Sequence, residues 1–331
     1  MDDSGGLMPR PGFSRFKAVG QFFAGLLRGR PRIVFVEVTL RCNARCDFCS
    51  YWRDTRVHEL ADYAPVVRHF DPVAVTLTGG EPLLRADLRE LVRGIKATGN
   101  RFVSVLSNGA LLTRERAQDL REAGLDGLSI SLNYLDERQD EERQLKGLFR
   151  HLAALVPRLA DLGFARLNLN TVLLATNLDQ ILPLVARARE WGVGLSVSCY
   201  SPHKAGDERF VVGPRHETRL REVVDGLIQA RRHDHVVSNT EWYLRRIPDY
   251  YRTGSLSGCP AGRRSVHVTP DGMVKPCPDL PSQGPWDEYS TRHAPRLDCD
   301  VCWYACRGEV QAPMDLRHMV SLGRFRGRKS A

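Results

Sequence analysis

Short apolar stretches alternate with longer segments of helical spacing through the first two thirds of the chain. Between the stretches, apolar residues recur every three or four positions, as in helices that pack by one face. Regular alternation of this kind predicts parallel strands joined by helical crossovers. The expected strands are 33–38, 74–78, 102–106, 127–131, 166–174 and 194–198, and the helical segments between them include 88–95, 113–123, 142–162 and 182–188.

The two ends of the chain follow other patterns. Residues 13–27 place apolar side chains at helical spacing and basic residues at other positions. This predicts a basic amphipathic helix, which can cover an open end of the fold or lie on a membrane surface; we favour the cover. After Tyr200 the alternation stops, and 215–253 predict two helices. Asp271-Gly272, between two short apolar runs, predicts a hairpin.

These patterns divide the chain into five segments. They are a basic N-terminal arm with an amphipathic helix (1–32), a strand–helix domain (33–205), bridging helices (206–256), a small cysteine-rich domain (257–311) and a basic C-terminal tail (312–331).

Charge is concentrated at the two ends. The 331 residues carry a net charge of +9, and residues 1–32 and 307–331 each hold six Lys or Arg against two acids. Such ends are typical of solvated tails or of weak contact with an anionic membrane. No apolar run has the length of a membrane span, and the N-terminus lacks a signal-peptide pattern. We therefore expect a cytoplasmic protein, at most peripheral at the membrane.

Cysteine usage favours metal binding over disulfides. The chain has nine cysteines, and eight of them fall into two groups. An odd number, tight grouping and no export signal argue against a disulfide framework. The ninth, Cys199, lies in an apolar stretch, where a buried strand residue is expected.

The first group directly follows the first expected strand. Cys42, Cys46 and Cys49 have the spacing C-x3-C-x2-C. A loop with this spacing can bring three thiolates to one metal cluster. A closed iron–sulfur cluster takes four ligands, so this set leaves one iron for a ligand that is not protein. A zinc knuckle or a set of buried thiols is the alternative.

This spacing, with Phe48 just before the last cysteine, resembles the radical S-adenosylmethionine (SAM) superfamily. The resemblance implies an α/β fold, a partial (β/α)6 barrel of the TIM type, over roughly residues 33–200. It also implies that SAM binds the open iron of a [4Fe–4S] cluster. Reductive cleavage of SAM would give a 5′-deoxyadenosyl radical that takes hydrogen from a substrate. Phe48 would shield the cluster and pack near the adenine.

The loop after the second expected strand carries a further resemblance. Gly79-Gly80-Glu81 is similar to the GGE motif of the family, which holds the amino group of SAM. Glycine lets the backbone approach a ligand closely, and Glu81 can accept a hydrogen bond from an ammonium group. Both features suit a cofactor site at the carboxyl end of a parallel strand.

Three later strand ends carry weaker signals. Asn108, in Ser107-Asn108-Gly109, stands in a turn similar to the family's Thr-Asn-Gly. The resemblance also implies SAM contacts for Ser131 and Asn170, at the ends of the fourth and fifth strands. Family members often have Asp where Asn133 stands, so the resemblance leaves open whether Asn133 binds ribose or substrate.

The second group comprises Cys259, Cys277, Cys299, Cys302 and Cys306. Cys259 and Cys277, with Gly272 between them, resemble the opening of a SPASM/Twitch auxiliary-cluster domain. Five cysteines suffice for one four-ligand [4Fe–4S] cluster and one spare thiol, for which Cys306 is favoured and Cys302 is the alternative. A zinc ribbon is the rival interpretation.

The resemblance implies an oxidoreductase that acts on a small molecule or a lipid. An external donor of the flavodoxin or ferredoxin type would supply electrons, and the auxiliary cluster would serve as an electron relay. Two alternatives stay open: a peptide maturase of the same superfamily, and a non-enzymatic metal-binding or redox-sensing protein. Only 32 residues precede the first strand, which disfavours a leader-peptide domain. No nucleic-acid partner is expected, and no catalytic acid or base is identified.

Overall fold

A computed structural model describes residues 13–53, 57–203 and 205–313. All six expected strands are present, with bounds within one residue of those expected, and two more follow. The strands are β1 (Ile33–Thr39), β2 (Ala74–Gly79), β3 (Phe102–Ser107), β4 (Gly127–Ser131), β5 (Arg166–Leu173), β6 (Gly194–Cys199), β7 (Ser265–Val268) and β8 (Val274–Lys275).

Helices connect the parallel strands and cover one face of the sheet. Along β3, buried and half-buried positions alternate strictly, so Val103 and Val105 pack into the core while Ser104 and Leu106 face the other side. The helices are α1 (Arg15–Arg28), α2 (Ala64–Phe70), α3 (Leu88–Lys96), α4 (Arg114–Glu122), α5 (Arg138–Arg143), α6 (Leu148–Leu155), α7 (Ile181–Trp191), α8 (Glu217–Asp234), α9 (Glu241–Leu244), α10 (Ile247–Thr253) and α11 (Ala305–Gln311).

The long helical stretch expected over 142–162 is helical but interrupted. The segment contains the end of α5, the whole of α6 and a 3-10 helix (Val156–Leu162). Gln144 and Gly147 adopt left-handed backbone conformations, with φ of 52° and 78°, which interrupt the helix. Asp140 accepts a hydrogen bond from Phe149 N at 2.7 Å and so satisfies an N–H at the start of α6.

Residues 215–253 contain three helices, where two were expected. The second expected helix is divided into α9 and α10. Pro248 lies in the first turn of α10. A proline has no backbone N–H and is favoured at the start of a helix, so it marks the beginning of a new one.

The eight strands form one open sheet with the order β6-β5-β4-β3-β2-β1-β7-β8. The pairs from β1 to β6 are parallel, which confirms the partial barrel. The hairpin expected at Asp271-Gly272 is present, and Gly272 takes the positive φ of 87° that its turn requires. Its first strand, β7, pairs in parallel with β1, from Ile33 opposite Ser265 to Val36 opposite Val268. The cysteine-rich segment therefore extends the sheet.

The last helix connects the two sides of the open sheet. At its start, Ala305 N donates to Ser198 Oγ of β6 at 3.1 Å. Near its end, Val310 O accepts from Arg32 Nη1 at 3.0 Å, and Arg32 leads directly into β1. Helix α11 therefore ties β6 to the start of β1.

A buried aromatic pair fixes the chain just before α11. Trp303 is fully buried and stacks on Tyr243, with ring centroids 5.5 Å apart. Trp303 Nε1 donates to Tyr243 O, and Tyr243 OH donates to Trp303 O, both at 3.2 Å. Tyr243 OH also accepts from Cys199 N at 3.1 Å. Cys199 is a buried strand residue, as expected.

Helix α1 covers the amino-terminal ends of the strands, opposite the cysteine loop that follows β1. Phe22 is buried on its inner side, 5.0 Å below the Arg32 guanidinium. Ser14, which caps the helix, exchanges two backbone hydrogen bonds of 2.7 and 2.9 Å with the Asn100 side chain before β3. Among the residues described here, none of the helices is long and apolar enough to cross a membrane.

The two sides of α1 should differ in their effect on stability. We expect Phe22→Ala to lower the free energy of unfolding by about 3 kcal/mol, because it removes a buried ring from a packed site. Phe16→Ala, on the outer side of the same helix, should change it by less than about 0.5 kcal/mol. Urea unfolding followed by circular dichroism measures both. Equal effects of the two substitutions would contradict this packing.

Candidate metal and cofactor site

The loop after β2 packs against the backbone that leads into the cysteine loop. Gly80 N donates to Thr39 O at 2.7 Å, and Glu81 N donates to Arg41 O at 2.8 Å. Gly79 has a φ of 114°, and a Cβ on Gly79 or Gly80 would overlap the carbonyl oxygen of Thr39 or Arg41, respectively. These two glycines therefore allow the loop after β2 to pack closely against the backbone of residues 39–41.

The buried carboxylate of Glu81 joins the loop after β2 to the turn after β3. Its Oε1 accepts from Leu83 N at 3.0 Å and from Ser107 Oγ at 2.8 Å, and its Oε2 accepts from Asn108 N at 2.7 Å. Burial raises the pKa of Glu81, and its backbone hydrogen bonds oppose that rise. A carboxylate has about four lone-pair sites, so one acceptor position remains. Burial is the main cause that raises the pKa of the Cys42 thiol, and the charge of Glu81 raises it further. The two groups are therefore near each other.

Asn108 connects the turn after β3 to the cysteine loop. Its Nδ2 donates to Asn43 Oδ1 at 2.8 Å, and its Oδ1 accepts from Ala110 N at 2.9 Å. Asn43 lies directly after Cys42. The loops after β1, β2 and β3 are therefore one hydrogen-bonded unit, in which Asn108 orients the cysteine loop.

The second and third cysteines of the first group, Cys46 and Cys49, lie in one turn, and Cys42 precedes it. Cys49 N donates to Cys46 O at 3.2 Å. Cys46 is buried, whereas Cys42 and Cys49 are half-buried. Burial raises the pKa of Cys46 to about 12, and the charges of Cys49 and Cys42 add to the shift. The three sulfurs are therefore close enough to affect one another. A bound metal takes the thiolate form and releases the proton.

The donor chemistry of this turn fits a cluster with three protein ligands. Thiolates are the donors that iron–sulfur clusters take. Within residues 13–53, 57–203 and 205–313, no three His, Cys, Asp or Glu side chains are arranged to hold a single metal ion. The ligands of a cubane bind different irons, so a cluster does not require them to converge on one point.

Two buried charged residues beside the cysteine loop are not evident from the sequence pattern. Arg143, the last residue of α5, donates to Cys46 Sγ at 3.6 Å and lies over the Phe48 ring at 5.7 Å. Glu142 accepts from Asn133 Nδ2 at 2.7 Å, and burial raises its pKa to about 7. Arg143 Nε and Glu142 Oε1 are buried without a hydrogen-bond partner among the described residues. Both atoms therefore have capacity for a further hydrogen bond.

Ser131 and Asn170 lie side by side at the ends of β4 and β5. They are paired in register, and Asn170 is also paired with Ser196 of β6. Asn170 Oδ1 accepts from Ser196 Oγ at 2.9 Å. All three residues are half-buried, so they form a row of hydroxyl and amide groups on the face of the sheet away from the helices.

Asn133 has a structural role. It is fully buried; its Oδ1 accepts from Val172 N at 3.0 Å and its Nδ2 donates to Glu142. Phe48, by contrast, is half-buried, and its ring meets Phe210 edge-on at 6.3 Å. Phe48 can therefore cover a ligand, whereas both polar atoms of the Asn133 side chain are occupied within the protein.

The five cysteines of the second group form a connected set. Burial raises the pKa of Cys302 to about 12 and that of Cys277 to about 11, and the charge of Cys259 adds to both shifts. Burial also raises the pKa of Cys306, and the charges of Cys302 and Cys277 raise it further. Cys299 contributes to the raised pKa of Cys259. Cys306, which is half-buried, therefore lies near Cys302 and Cys277.

Arg307 organises the backbone around the second group. It is 4% exposed, and its guanidinium donates to Cys302 O, Leu256 O and Ser257 O. Its Nη1 also lies 4.0 Å from Cys302 Sγ. Because it bridges segments about fifty residues apart in sequence, Arg307 holds the start of the cysteine-rich segment against its end.

Polar side chains lie between the two cysteine groups. Tyr51 OH donates to Glu37 Oε1 at 2.6 Å, and Tyr304 OH donates to Asp279 Oδ2 at 2.7 Å. Burial is the largest cause that raises the pKa of Tyr51. The charge and hydrogen bond of Glu37 raise it further, and the charges of Cys49 and Asp279 add to the shift. Tyr51 is thus near a cysteine of the first group and near Asp279, two residues beyond Cys277 of the second.

Comparison with known proteins links these features to a family. Residues 36–188 match the model of the Radical SAM superfamily. A probable GTP 3',8-cyclase of Saccharolobus islandicus is 31% identical over 172 residues, which are 50% of this chain and 56% of that protein. Another, of Methanococcus maripaludis, is 25% identical over 254 residues, which are 73% of this chain and 83% of that protein. The chain thus spans only about half the length of the first relative.

The fold also has a solved counterpart. The crystal structure of Streptococcus suis SuiB bound to precursor peptide SuiA has a TM-score of 0.64 and 18% sequence identity. The match covers 83% of this chain and 67% of that chain. At this identity the likeness establishes the fold, an α/β partial barrel followed by further C-terminal structure, and leaves the substrate undetermined.

Substitution of Glu81 tests its assignment to SAM. We expect Glu81→Gln to weaken SAM binding at least tenfold, because a charge-assisted hydrogen bond contributes roughly 1.5–3 kcal/mol. Iron content should not change. Isothermal titration of SAM into anaerobic protein measures the affinity, with Glu90→Gln on the exposed side of α3 as the matched control. Unchanged affinity in Glu81→Gln would show that this loop does not bind SAM.

Proposed function

Because residues 36–188 make this chain a member of the radical SAM superfamily, we propose that it is an enzyme of that type. Cys42, Cys46 and Cys49 hold a [4Fe–4S] cluster, and SAM binds at the iron that they leave open. When bound, the cluster and SAM together supply reductive cleavage to a 5′-deoxyadenosyl radical, which removes hydrogen from the substrate. The observation that carries the proposal is the hydrogen-bonded unit that joins the Glu81 carboxylate through Asn108 to Asn43, the residue directly after Cys42.

The charges around the first group support this assignment of SAM. Its methionine part carries an ammonium and a carboxylate. Glu81 has one acceptor position for the ammonium, and Arg143 has a buried, unpartnered Nε for the carboxylate. Phe48 covers the site, and Ser131 and Asn170 offer hydrogen bonds to the nucleoside. These residues bind and orient SAM, and Glu142 balances the charge of Arg143 from 4.0 Å.

The second cysteine group is proposed to hold one auxiliary [4Fe–4S] cluster. The position of Cys306 near Cys277 and Cys302 favours it as a ligand, together with Cys259. Cys299 is then the spare thiol, a revision of the expectation that Cys306 is spare. A cluster with four cysteine ligands has no open iron, so an electron-relay role fits it. A relay is useful in a net oxidation, where the substrate radical must lose an electron.

The substrate is proposed to be a small molecule or lipid that meets the half-buried polar face of the sheet. A purine nucleotide is a second candidate, because the relatives are named GTP 3',8-cyclases. The SuiB likeness keeps a peptide as a third. Electrons would come from an external donor of the flavodoxin or ferredoxin type. Both clusters require a reducing compartment, which agrees with the expected cytoplasmic location.

Iron content separates the two clusters. Anaerobically purified protein should contain about eight irons, and the triple replacement of Cys42, Cys46 and Cys49 by Ala should leave about four, one cubane. Cys306→Ala should lower the iron of the second cluster, whereas Cys299→Ala should retain it. Iron analysis with electron paramagnetic resonance measures each variant. About four irons and equimolar zinc in the parent protein would contradict the auxiliary cluster.

SAM cleavage tests the enzyme assignment directly. With dithionite and SAM, the parent protein should release 5′-deoxyadenosine and methionine, and the triple cysteine variant should release neither. Cys199→Ala, which removes a buried thiol outside both groups, should retain cleavage and serves as the control. Liquid chromatography with mass spectrometry detects the products. A fully iron-loaded parent protein that produces no 5′-deoxyadenosine would instead support a metal-binding or redox-sensing role.

A further inference from the structure

The outer side of α1 carries most of the exposed apolar surface that the described residues present. Phe16 is 94% exposed, Leu27 85% and Phe23 50%, and Val19 and Leu26 are also exposed. Only two other large apolar side chains of the described residues are exposed, Leu111 and Val301. Exposed apolar residues that cluster on one element mark an interaction surface, whereas scattered ones do not.

Helix geometry places these side chains on one ridge. Successive residues advance by about 100° around a helix, so Phe16, Phe23 and Leu27, at positions i, i+7 and i+11, fall within about 40° of one another. Val19 and Leu26 lie on one flank of the ridge. On the other flank Lys17 and Arg28 are exposed. The outer side of α1 is thus an apolar ridge with a basic border.

The contacts of α1 prevent the ridge from turning inward. At its start, Ser14 is bonded to Asn100. At its end, Thr291 Oγ1 donates to Gly29 O at 2.7 Å, and Arg292 donates to the carbonyl oxygens of Leu27 and Arg28 at 3.2 Å. The inner side of α1 is already packed through buried Phe22. None of the described residues covers the ridge, so its partner must lie outside them.

Charge and size select the occupant. Residues 13–32 contain no Asp or Glu; Lys17 and Arg28 are exposed, whereas Arg30 pairs with Asp71 and Arg32 lies over Phe22 on the inner side. In a pair of identical chains, the two ridges would bring the exposed like charges together. The 14-residue helix is also only about 21 Å long, too short to supply the roughly 800 Å² per partner of a stable interface. An anionic lipid surface matches both the apolar ridge and its basic border.

We propose that α1 docks this protein on the surface of an anionic membrane, with Phe16, Phe23 and Leu27 inserted between lipid headgroups and Lys17 and Arg28 beside the anionic groups. The helix lies in the plane of the surface. Its inner side stays packed on the strand ends, so docking and covering are performed by the same element. The cysteine loop, at the opposite ends of the strands, then faces away from the lipid.

Vesicle sedimentation of the full chain tests the proposal. The protein should pellet with vesicles of phosphatidylcholine and phosphatidylserine, at least tenfold less with phosphatidylcholine alone, and less as salt rises. Phe16→Glu with Leu27→Glu should lower binding to the anionic vesicles at least tenfold. Leu111→Glu, at an exposed apolar position outside α1, should leave it unchanged. Equal binding by the parent and the double variant, or no binding by the parent, would overturn the proposal.

Two further measurements keep the result interpretable. Hydrogen–deuterium exchange of the unmodified protein should show added protection over residues 16–27 when anionic vesicles are present, which does not depend on how the variants fold. Sedimentation equilibrium without vesicles should show a monomer at all concentrations. A concentration-dependent dimer that the double variant abolishes would assign the ridge to a second copy of the chain and overturn the membrane assignment.

Discussion

The carboxylate of Glu81 is the contact on which the arrangement of the site depends. It is 1% exposed, and its three hydrogen bonds go to the segments that follow β2 and β3. The carboxylate is almost entirely buried, so each lost bond would leave a buried polar group unsatisfied, at about 1–3 kcal/mol. Its own backbone N–H is bonded to Arg41 O. These contacts hold the cysteine loop against the ends of three parallel strands. The loop has no regular secondary structure that would fix its shape alone.

The two faces of the sheet divide the work between stability and chemistry. The face toward the helices is lined by fully buried Val and Leu, whereas the other face carries Thr76, Ser104, Ser131, Asn170 and Ser196 at half-buried positions. A strand alternates its side chains between faces, so one segment supplies both functions. The polar face alone could not stabilise a fold of this size. Because the apolar face supplies the stability, the other face can carry polar side chains.

The strands follow directly from the sequence, because alternation with period two is a local signal. The cysteine spacing that predicts a metal loop after β1 is also a local signal. The contacts that join distant segments do not follow from local signals. The pairing of β7 with β1 connects residues far apart in sequence, and nothing in the hairpin identifies its partner. The break after α5 depends on left-handed Gln144, an uncommon conformation for that residue type. Arg143 belongs to a run of charged residues, and nothing in that run indicates that its side chain is buried against Cys46.

The pairing of β1 with β7 has a consequence for synthesis. The first strand of the sheet emerges from the ribosome more than two hundred residues before its second neighbour. During that interval one edge of β1 has unpaired N–H and C=O groups, which are prone to pair with other chains. The loops after β1, β2 and β3 can meanwhile bind one another, because all three are already made. The proposed cluster of the first cysteine group could therefore be inserted on the nascent chain, before the second group exists and before α11 closes the fold.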